Sequence, residues 1–433
     1  MNDIIISGGA VVTVDEKGQI FDPGEVVIRD GKILSVGPAG STRAVPGQQQ
    51  LIMKAENKII LPGFINAHTH AAMTLFRGVG DDLPLREWLQ NRIWPLEAKL
   101  TAKDIYWGTL LAIVEMLQAG VTAFADMYFM CESVAEAVYE SGIRASIAPG
   151  LLGISSSAEQ ELKTAVDFCR KWGGKAGGRI TTMLGPHAPY TCPPSYLKQV
   201  IAAAKDIGVG IHIHLAETKQ EVADLKNEYG LTPVAYLATQ DLAGLHILAA
   251  HCVHLERKDI SQLKNYGIFV AHNPGSNLKL ASGIAPLPEL LAEHIRIALG
   301  SDGAASNNNL DILEEARLTA LIHKAATGDA TAVPATLALE MATRNGAAAL
   351  GLDKCCGQIK PGLKADLIII NRNAPHMYPL FDPISSLIYS AKSSDVETVL
   401  VDGKIIVDKG EIKTVDAEKI MYMADEHARK LLH

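Results

Sequence analysis

Apolar and polar positions follow two different rhythms along this chain. Residues 1–61 carry short apolar runs separated by turn residues, and these predict strands: DIIISG, VVTV, EVVIRD, KILSVG and, after a Gly/Pro/Gln segment, LIMKAENKIIL. From Pro62 to about residue 350 the runs, four to seven residues long, alternate with amphipathic stretches of helix length. In order they read GFINAH, VTAFAD, RASIAPG, ITTMLG, VGIHIHL, HILAAH, IFVAHN and IRIALGSD. Between them helices are expected, for example Ala102 to Gln118, where Thr101 and Asp104 supply capping groups, and Pro193 to Ala204, which opens on prolines. Beyond Gly357 strand-like text returns in ADLIIIN, VETVLVDG and KIIVDKG, before a last helix from Ala417. Eight strands with eight crossovers predict an α/β fold with a closed (β/α)8 TIM-type barrel rather than an open doubly wound sheet. The two β-rich ends predict one small β-sandwich. The expected domains are residues 1–61 as the first part of the sandwich, 62–356 as the barrel, and 357–433 as the second part with the C-terminal helix.

Composition narrows the classes of function. With 433 residues, 48% hydrophobic and 20% charged, the chain is too long for one small module and apolar enough to bury a large core. Its 40 basic and 48 acidic residues leave a net charge of -8, so no basic field exists to attract nucleic acid. The start, MNDIIISGGAVVTVDEKG, lacks a basic stretch followed by an apolar one, and no segment reaches the roughly 18 apolar residues of a membrane helix. A cytoplasmic protein with no membrane or nucleic-acid partner is the expectation. Six cysteines without a CxxC read as thiols rather than a disulfide framework, and Cys355 and Cys356 are assigned no function. The segment GGKAGG lacks the strand-turn-helix setting of a phosphate loop and reads as a plain loop.

Chemistry concentrates where the barrel strands are expected to end. His68 and His70 sit one residue apart at the end of the first run, so period-two alternation turns both imidazoles to one side, where they can share a metal ion. The fifth run carries His212 and His214 on one face, with His214 nearer the C-terminal mouth and the better ligand, and His212 deeper as a satisfied core histidine. The sixth run ends at His251, with His254 beyond it, and the eighth ends in GSD with Asp302 last. Three imidazoles and one carboxylate suit Zn²⁺ or Fe²⁺ with room for a water, which implies hydrolysis. Glu217, three residues after His214, can protonate a substrate atom; alone it also reads as a helix N-terminal acid. The fourth run offers His187 in its following loop but no lysine to bridge a second ion, so one metal is expected.

These residues carry a resemblance. PGFINAHTHAAMTLFRG, GPHAPYTCP, IHLAET, HNPGSNLKLASGIAP and GSDGAASNNNLD are similar to the amidohydrolase superfamily, and the pairing of DDLPLREWL with SNNNLD resembles, more narrowly, the 5'-methylthioadenosine/S-adenosylhomocysteine deaminases. The likeness runs nearly end to end. It implies that His68, His70, His214 and Asp302 bind one divalent ion per subunit, usually zinc, and that His251 orients its water. It further implies that Glu217 passes a proton to the purine ring nitrogen while Asp302 takes one from the water, so that ammonia leaves and an adenine nucleoside becomes its inosine analogue. Glu97, in WPLEAKL, would accept hydrogen bonds from ribose hydroxyls, and His187 would contact the nucleoside. Trp88 and Phe76 are candidates for the apolar wall, with plain packing the equal alternative for each. A homocysteine tail would call for an arginine, and GLLGISSSAEQ, after the third strand, has no Lys or Arg. The expected substrate is therefore 5'-methylthioadenosine, adenosine or a 5'-deoxy relative, before S-adenosylhomocysteine. A homo-oligomer is expected, since barrels with exposed helices commonly associate.

Two other readings stay open at this point. The metal site could serve a deaminase or chlorohydrolase of a free base or triazine ring (guanine, cytosine, a chlorotriazine), for which a ribose-binding Glu97 would have no purpose. A catalytically silent scaffold of the same fold is the other, and the completeness of the ligand set speaks against it. The cytidine-type signature P-C-x-x-C and the protease motif H-E-x-x-H are both absent.

Overall fold

The computed structural model describes residues 3–41 and 50–432; most of the Gly/Pro/Gln segment lies outside the described residues. Two compact units emerge, Met1–Asn66 with Val114–Ala123 and Asp311–Asp416, and Ala67–Ile113 with Phe124–Leu310 and Ala417–His433.

The first unit holds a nine-stranded sheet built from both ends of the chain. Its N-terminal strands are Asp3–Val12, Ile20–Arg29, Lys32–Pro38, Gln50–Lys54 and Lys58–Pro62, and its C-terminal strands are Leu367–Asn371, Val396–Val401, Lys404–Asp408 and Glu411–Ile412. The ends join where Lys58–Pro62 pairs antiparallel with Leu367–Asn371, setting Ile60 opposite Ile369. Ile6, Val11, Val26, Ile28, Ile33, Leu367 and Leu400 fill one apolar core. DIIISG and the first two residues of VVTV, expected in two strands, lie in one ten-residue strand with register irregularities around Gly9. Gly8, at φ +103°, takes up an extra residue as a bulge, so the glycines bend the strand instead of turning it back.

The eight apolar runs form the eight-stranded sheet of the barrel, each strand beside the next in chain order. They span Phe64–Thr69, Val121–Tyr128, Arg144–Leu151, Ile180–Pro186, Gly210–Leu215, Ile247–His251, Phe269–His272 and Ile297–Leu299. The ladders from the third strand to the eighth are parallel. Beyond the last strand the Asp302 N–H donates to the His68 carbonyl at 3.0 Å, which ties the eighth position back to the first. Six of the strands are buried at every residue, as expected of parallel strands covered on both faces. The helix Ala102–Gln118 begins where the pattern placed it, with Thr101 and Asp104 capping each other's backbone N–H groups. The helix expected from Pro193 spans Pro194–Ile207.

Gly300, between the eighth strand and Asp302, is a close-approach position, because a Cβ there would meet the Cβ and backbone nitrogen of His68 at 2.8 Å. Gly300→Ala is expected to cost about 1–3 kcal/mol through overpacking. Thermal unfolding reads this as a lowered Tm, and an unchanged Tm would contradict the constraint.

Candidate active site

Polar side chains in otherwise apolar strands mark the site. His68, His212 and His251 are at most 1% exposed, with His214 at 7% and Asp302 at 6%, and all but His212 lie at or close to strand ends. Burying such groups is unfavourable unless they find partners, and here the partners are one another. The backbone carries strain at the same place: Ala216, His251, Cys252 and Asp302 have φ of +51°, +73°, +50° and +60°. Left-handed conformations at non-glycine residues cost roughly 1–3 kcal/mol each and persist where the surroundings demand them.

The four residues proposed from the sequence as ligands lie together. Asp302 Oδ1 is 3.3 Å from His68 Nε2 and 3.2 Å from His70 Nε2, and His70 Nε2 is 3.2 Å from His214 Nε2. His70 Nδ1 donates to the Met127 carbonyl at 2.6 Å and His214 Nδ1 to the His187 carbonyl at 2.8 Å, which points the Nε2 lone pairs of both rings inward. Lone pairs and a carboxylate at such separations repel unless a cation, proton or metal, sits among them. With Zn–N bonds of about 2.0–2.1 Å, ligand atoms at the corners of a tetrahedron lie about 3.3 Å apart. The donor atoms of His68, His70 and His214 fall within 4.8 Å of one another, as do those of His68, His251 and Asp302, so the cluster can hold a metal ion.

Electrostatics agrees with the geometry. Burial works against a charge on Asp302, yet His68 and His70 hold its carboxyl well below the ordinary range. Burial drives His68 down to about 4 and His214 well below the usual histidine value. Burial also opposes a charge on His70, but Asp302 outweighs it and raises this ring to about 9. An ionised carboxylate surrounded mostly by neutral imidazoles, with one position that attracts positive charge, is a donor set suited to a divalent ion.

A cavity of about 500 Å³ opens onto this cluster, lined among others by Trp88, Trp94, Glu97, Phe129, His187 and Glu217, and by no lysine or arginine among the described residues. The Glu217 side chain is 13% exposed and lies 3.9 Å from His251 Nε2. Burial raises its pKa, only partly opposed by His251, so the proton is retained to higher pH than on an ordinary glutamate. His251 Nδ1 lies 2.9 Å from the Asn277 side-chain oxygen. His187 Nδ1 donates to the Thr191 hydroxyl at 2.9 Å while that hydroxyl donates to the Ala188 carbonyl. Burial holds His187 down at about 4, leaving its Nε2 a neutral acceptor.

Other positions sort themselves. Trp88 lines the cavity, whereas Phe76, expected as a second wall residue, is fully buried and absent from the lining. His212 lies deeper and meets His68, Nε2 to Nδ1 at 2.8 Å. His254 is tied to the Ser282 carbonyl at 2.6 Å. Several supporting residues escaped the sequence reading. Tyr128 donates its phenol to Glu97 Oε1 at 2.8 Å, and Ser276 and Ser306 donate to Asp302 Oδ2 at 2.7 and 2.8 Å. Glu221 accepts the N–H groups of Ala216 and Glu217 at 2.9 and 2.7 Å, which pins the backbone that carries Glu217. The pattern Thr218-x-x-Glu221 was a visible capping-box signal for that last contact; Tyr128 had none.

Comparison with known proteins gives a consistent set. The model of the Amidohydrolase family matches residues 59–406. The chain is 50% identical over 430 residues to the 5-methylthioadenosine/S-adenosylhomocysteine deaminase of Syntrophomonas wolfei subsp. wolfei, covering 99% of both chains. It is 46% identical to the 5'-deoxyadenosine deaminase of Methanosarcina mazei, covering 100% of this chain and 99% of that one. Among solved structures, an adenosine deaminase from Xanthomonas campestris with bound zinc superposes with a TM-score of 0.95 at 34% identity, covering 100% and 99% of the two chains.

The geometry predicts that His214→Ala loses bound metal, because the remaining donors no longer surround the ion. Elemental analysis after dialysis against Zn²⁺ checks this, and wild-type metal content in the variant would remove His214 from the ligand set.

Proposed function

The chain belongs to the amidohydrolase family, and on that premise we propose that it is a metal-dependent hydrolytic deaminase of adenine nucleosides, yielding the inosine analogue and ammonia. The observation that carries this reading is the meeting of the His68, His70, His214 and Asp302 donors at a cavity also lined by Glu97 and by Glu217, whose pKa burial raises above that of an ordinary glutamate. The relatives named for 5'-methylthioadenosine, S-adenosylhomocysteine and 5'-deoxyadenosine support the substrate class.

In this proposal the four donors hold one zinc ion per subunit, the ion bound in the Xanthomonas campestris relative. When bound, a divalent ion supplies the charge that acidifies a water at neutral pH. The chain's own residues do the rest. His251, its Nδ1–H held by Asn277, orients the attacking water through Nε2. Asp302, held by Ser276 and Ser306, takes the water's proton as oxygen bonds to the ring carbon that bears the amine. Glu217 protonates the adjacent ring nitrogen, so the added electron pair does not accumulate as negative charge. The exocyclic C–N bond then breaks, the amine leaves as ammonia with the proton relayed from Asp302, and the hydroxyl proton passes to Glu217, which restores that acid and leaves the carbonyl of the inosine analogue. Glu97 accepts the ribose hydroxyls, His187 offers Nε2 to the nucleoside, and Trp88 forms an apolar wall.

The cavity lining also includes the apolar side chains of Leu152, Ile154, Phe129 and Trp94. An uncharged 5' group such as methylthio, hydrogen or hydroxyl fits these walls, whereas a homocysteine carboxylate finds no lysine or arginine among the described lining residues. No helix among the described residues is long and apolar enough to cross a membrane. Buried free thiols at Cys131, Cys169, Cys192 and Cys252 suit a reducing compartment, and the proposal includes a cytoplasmic homo-oligomer with its catalytic domain in residues 62–356.

Ammonia release from a panel of compounds tests the proposal. Turnover of 5'-methylthioadenosine, 5'-deoxyadenosine and adenosine is expected, with S-adenosylhomocysteine slower in kcat/KM and with guanine and chlorotriazines inert. Triazine or guanine turnover without nucleoside turnover would overturn it. Glu217→Gln is expected to keep its metal while kcat falls by roughly 10²-fold or more, the scale of general acid catalysis; undiminished turnover would remove Glu217 from the reaction.

A further inference from the structure

Apart from Trp88 and Ser306, the two motifs DDLPLREWL and SNNNLD have no part in the chemistry above, yet the structure joins them. Lys279 Nζ lies 2.6 Å from Asp81 Oδ1 and 3.4 Å from the Ala305 carbonyl, and it also donates to the Asn308 side-chain oxygen. Asn308 Nδ2 donates to Asp81 Oδ2 at 3.2 Å, and the Asn308 carbonyl accepts from Arg77. Asn308 sits at φ +67°, a conformation that asparagine tolerates better than most residues and that ends the short helix Ala304–Asn307. The ammonium of Lys279 has three acceptors, as many as it has N–H groups.

Each of the three joined segments carries part of the site. The stretch after Asp81 supplies Leu85, Trp88, Leu89, Ile93, Trp94 and Glu97 to the cavity wall. The helix Pro274–Lys279 supplies Ser276 and Asn277, which hold Asp302 and His251. The helix Ala304–Asn307 supplies Ser306, the second hydroxyl on Asp302. The first of these stretches is weakly anchored by its own packing: between Arg77 and Lys99 only Trp88 and Ile93 are buried. It is also built of short pieces, Leu85–Trp88, a π-helical turn Leu89–Ile93 and Trp94–Glu97, and π turns recur at functional positions. With so few apolar contacts, polar fastening at its start has a large share in deciding where Glu97 and Trp88 stand.

We propose that Lys279 is a positioning residue for substrate binding: through Asp81 and Asn308 it fastens the wall that carries Trp88 and Glu97 to the segments that hold Asp302. The inference about substrate rests on the nucleoside reading above; the fastening itself does not. This wall lines the cavity proposed to hold the nucleoside, so loosening it weakens the ground-state fit while the residues around Asp302, kept by Ser276 and Ser306, still perform the chemistry.

The test compares wild type with Lys279→Met, Lys279→Arg and Asn308→Gly, the last keeping the left-handed backbone while removing the side-chain partner. For Lys279→Met, KM for 5'-methylthioadenosine is expected to rise about tenfold with kcat within about twofold, the signature of lost binding rather than lost chemistry. Asn308→Gly should move KM in the same direction, and Lys279→Arg should recover most of the change. Wild-type KM should increase with sodium chloride and that of Lys279→Met should not, because the fastening charges are partly exposed. Hydrogen exchange on the substrate-free enzymes reads the fastening directly: exchange in residues 78–98 should quicken in Lys279→Met while the barrel strands keep their protection. Unchanged exchange in residues 78–98, or faster exchange spread equally over the barrel, would overturn the proposal. Should wild type turn over no nucleoside, the functional reading fails, and the exchange comparison still decides on Lys279.

Discussion

The centre of this molecule is a set of electron pairs that cannot stay together without a positive charge. His70 and His214 turn their Nε2 atoms to within 3.2 Å of each other, and Asp302 adds a carboxylate oxygen 3.2 Å from one of them. Nothing in the packing of eight apolar strands requires this; the strands would close equally well on Val and Ile. The arrangement is held because the rings cannot turn away. Their Nδ1 atoms are bound to the carbonyls of Met127 and His187, at the ends of the second and fourth strands, and Asp302 receives two serine hydroxyls on its far oxygen. The barrel thus acts as a frame that sets ligand direction from neighbouring strands, and the left-handed residues His251 and Asp302 record the backbone strain that accompanies it.

That same centre separates two carboxyl groups in role. Asp302, buried, and Glu217, mostly buried, share one cavity, yet the imidazoles hold Asp302 far below the ordinary carboxylate range while burial pushes Glu217 upward. Groups driven apart in this way divide acid from base work at one pH. Under the proposed reaction the division has a direct use, since a proton must be taken from water on one side and given to a ring nitrogen on the other. Neither property belongs to Asp or Glu as residue types; each comes from what stands around it.

Periodicity made the barrel legible because parallel strands buried on both faces are nearly pure apolar runs, and polar residues in them stand out. His68, His70, His214 and Asp302 were visible for that reason, and so was the deeper place of His212. Other features depend on contacts between segments distant in the sequence, which no local pattern encodes. Tyr128 ends an apolar strand and reads as one more core aromatic until Glu97 is found 2.8 Å from its hydroxyl. Phe76 read as a wall residue because aromatics near a site line it as often as they pack behind it. The strand Asp3–Val12 was divided in two because consecutive glycines serve a bulge as well as a turn. The Lys279 contacts bring together positions almost 200 residues apart, Asp81 and Lys279, and only their motif-like spelling hinted at a role.

The pairing of Tyr128 with Glu97 bears on how a cavity this apolar distinguishes a nucleoside from a bare ring. Burial raises the pKa of Glu97, which expresses the cost of keeping its carboxylate away from water, and one phenol O–H offsets that cost only in part. In the proposed complex the ribose hydroxyls supply the missing donors, so the nucleoside relieves a penalty that the free enzyme carries. A guanine or triazine ring would fill the same space and leave Glu97 with Tyr128 alone. Sites built to satisfy a buried polar group reject ligands that lack the partner far more strongly than apolar walls reject a misfit in size. Under that proposal, selectivity for a sugar-bearing substrate follows from a half-buried carboxylate with one phenol donor, and the apolar wall is free to take up whatever uncharged group stands at the 5' position.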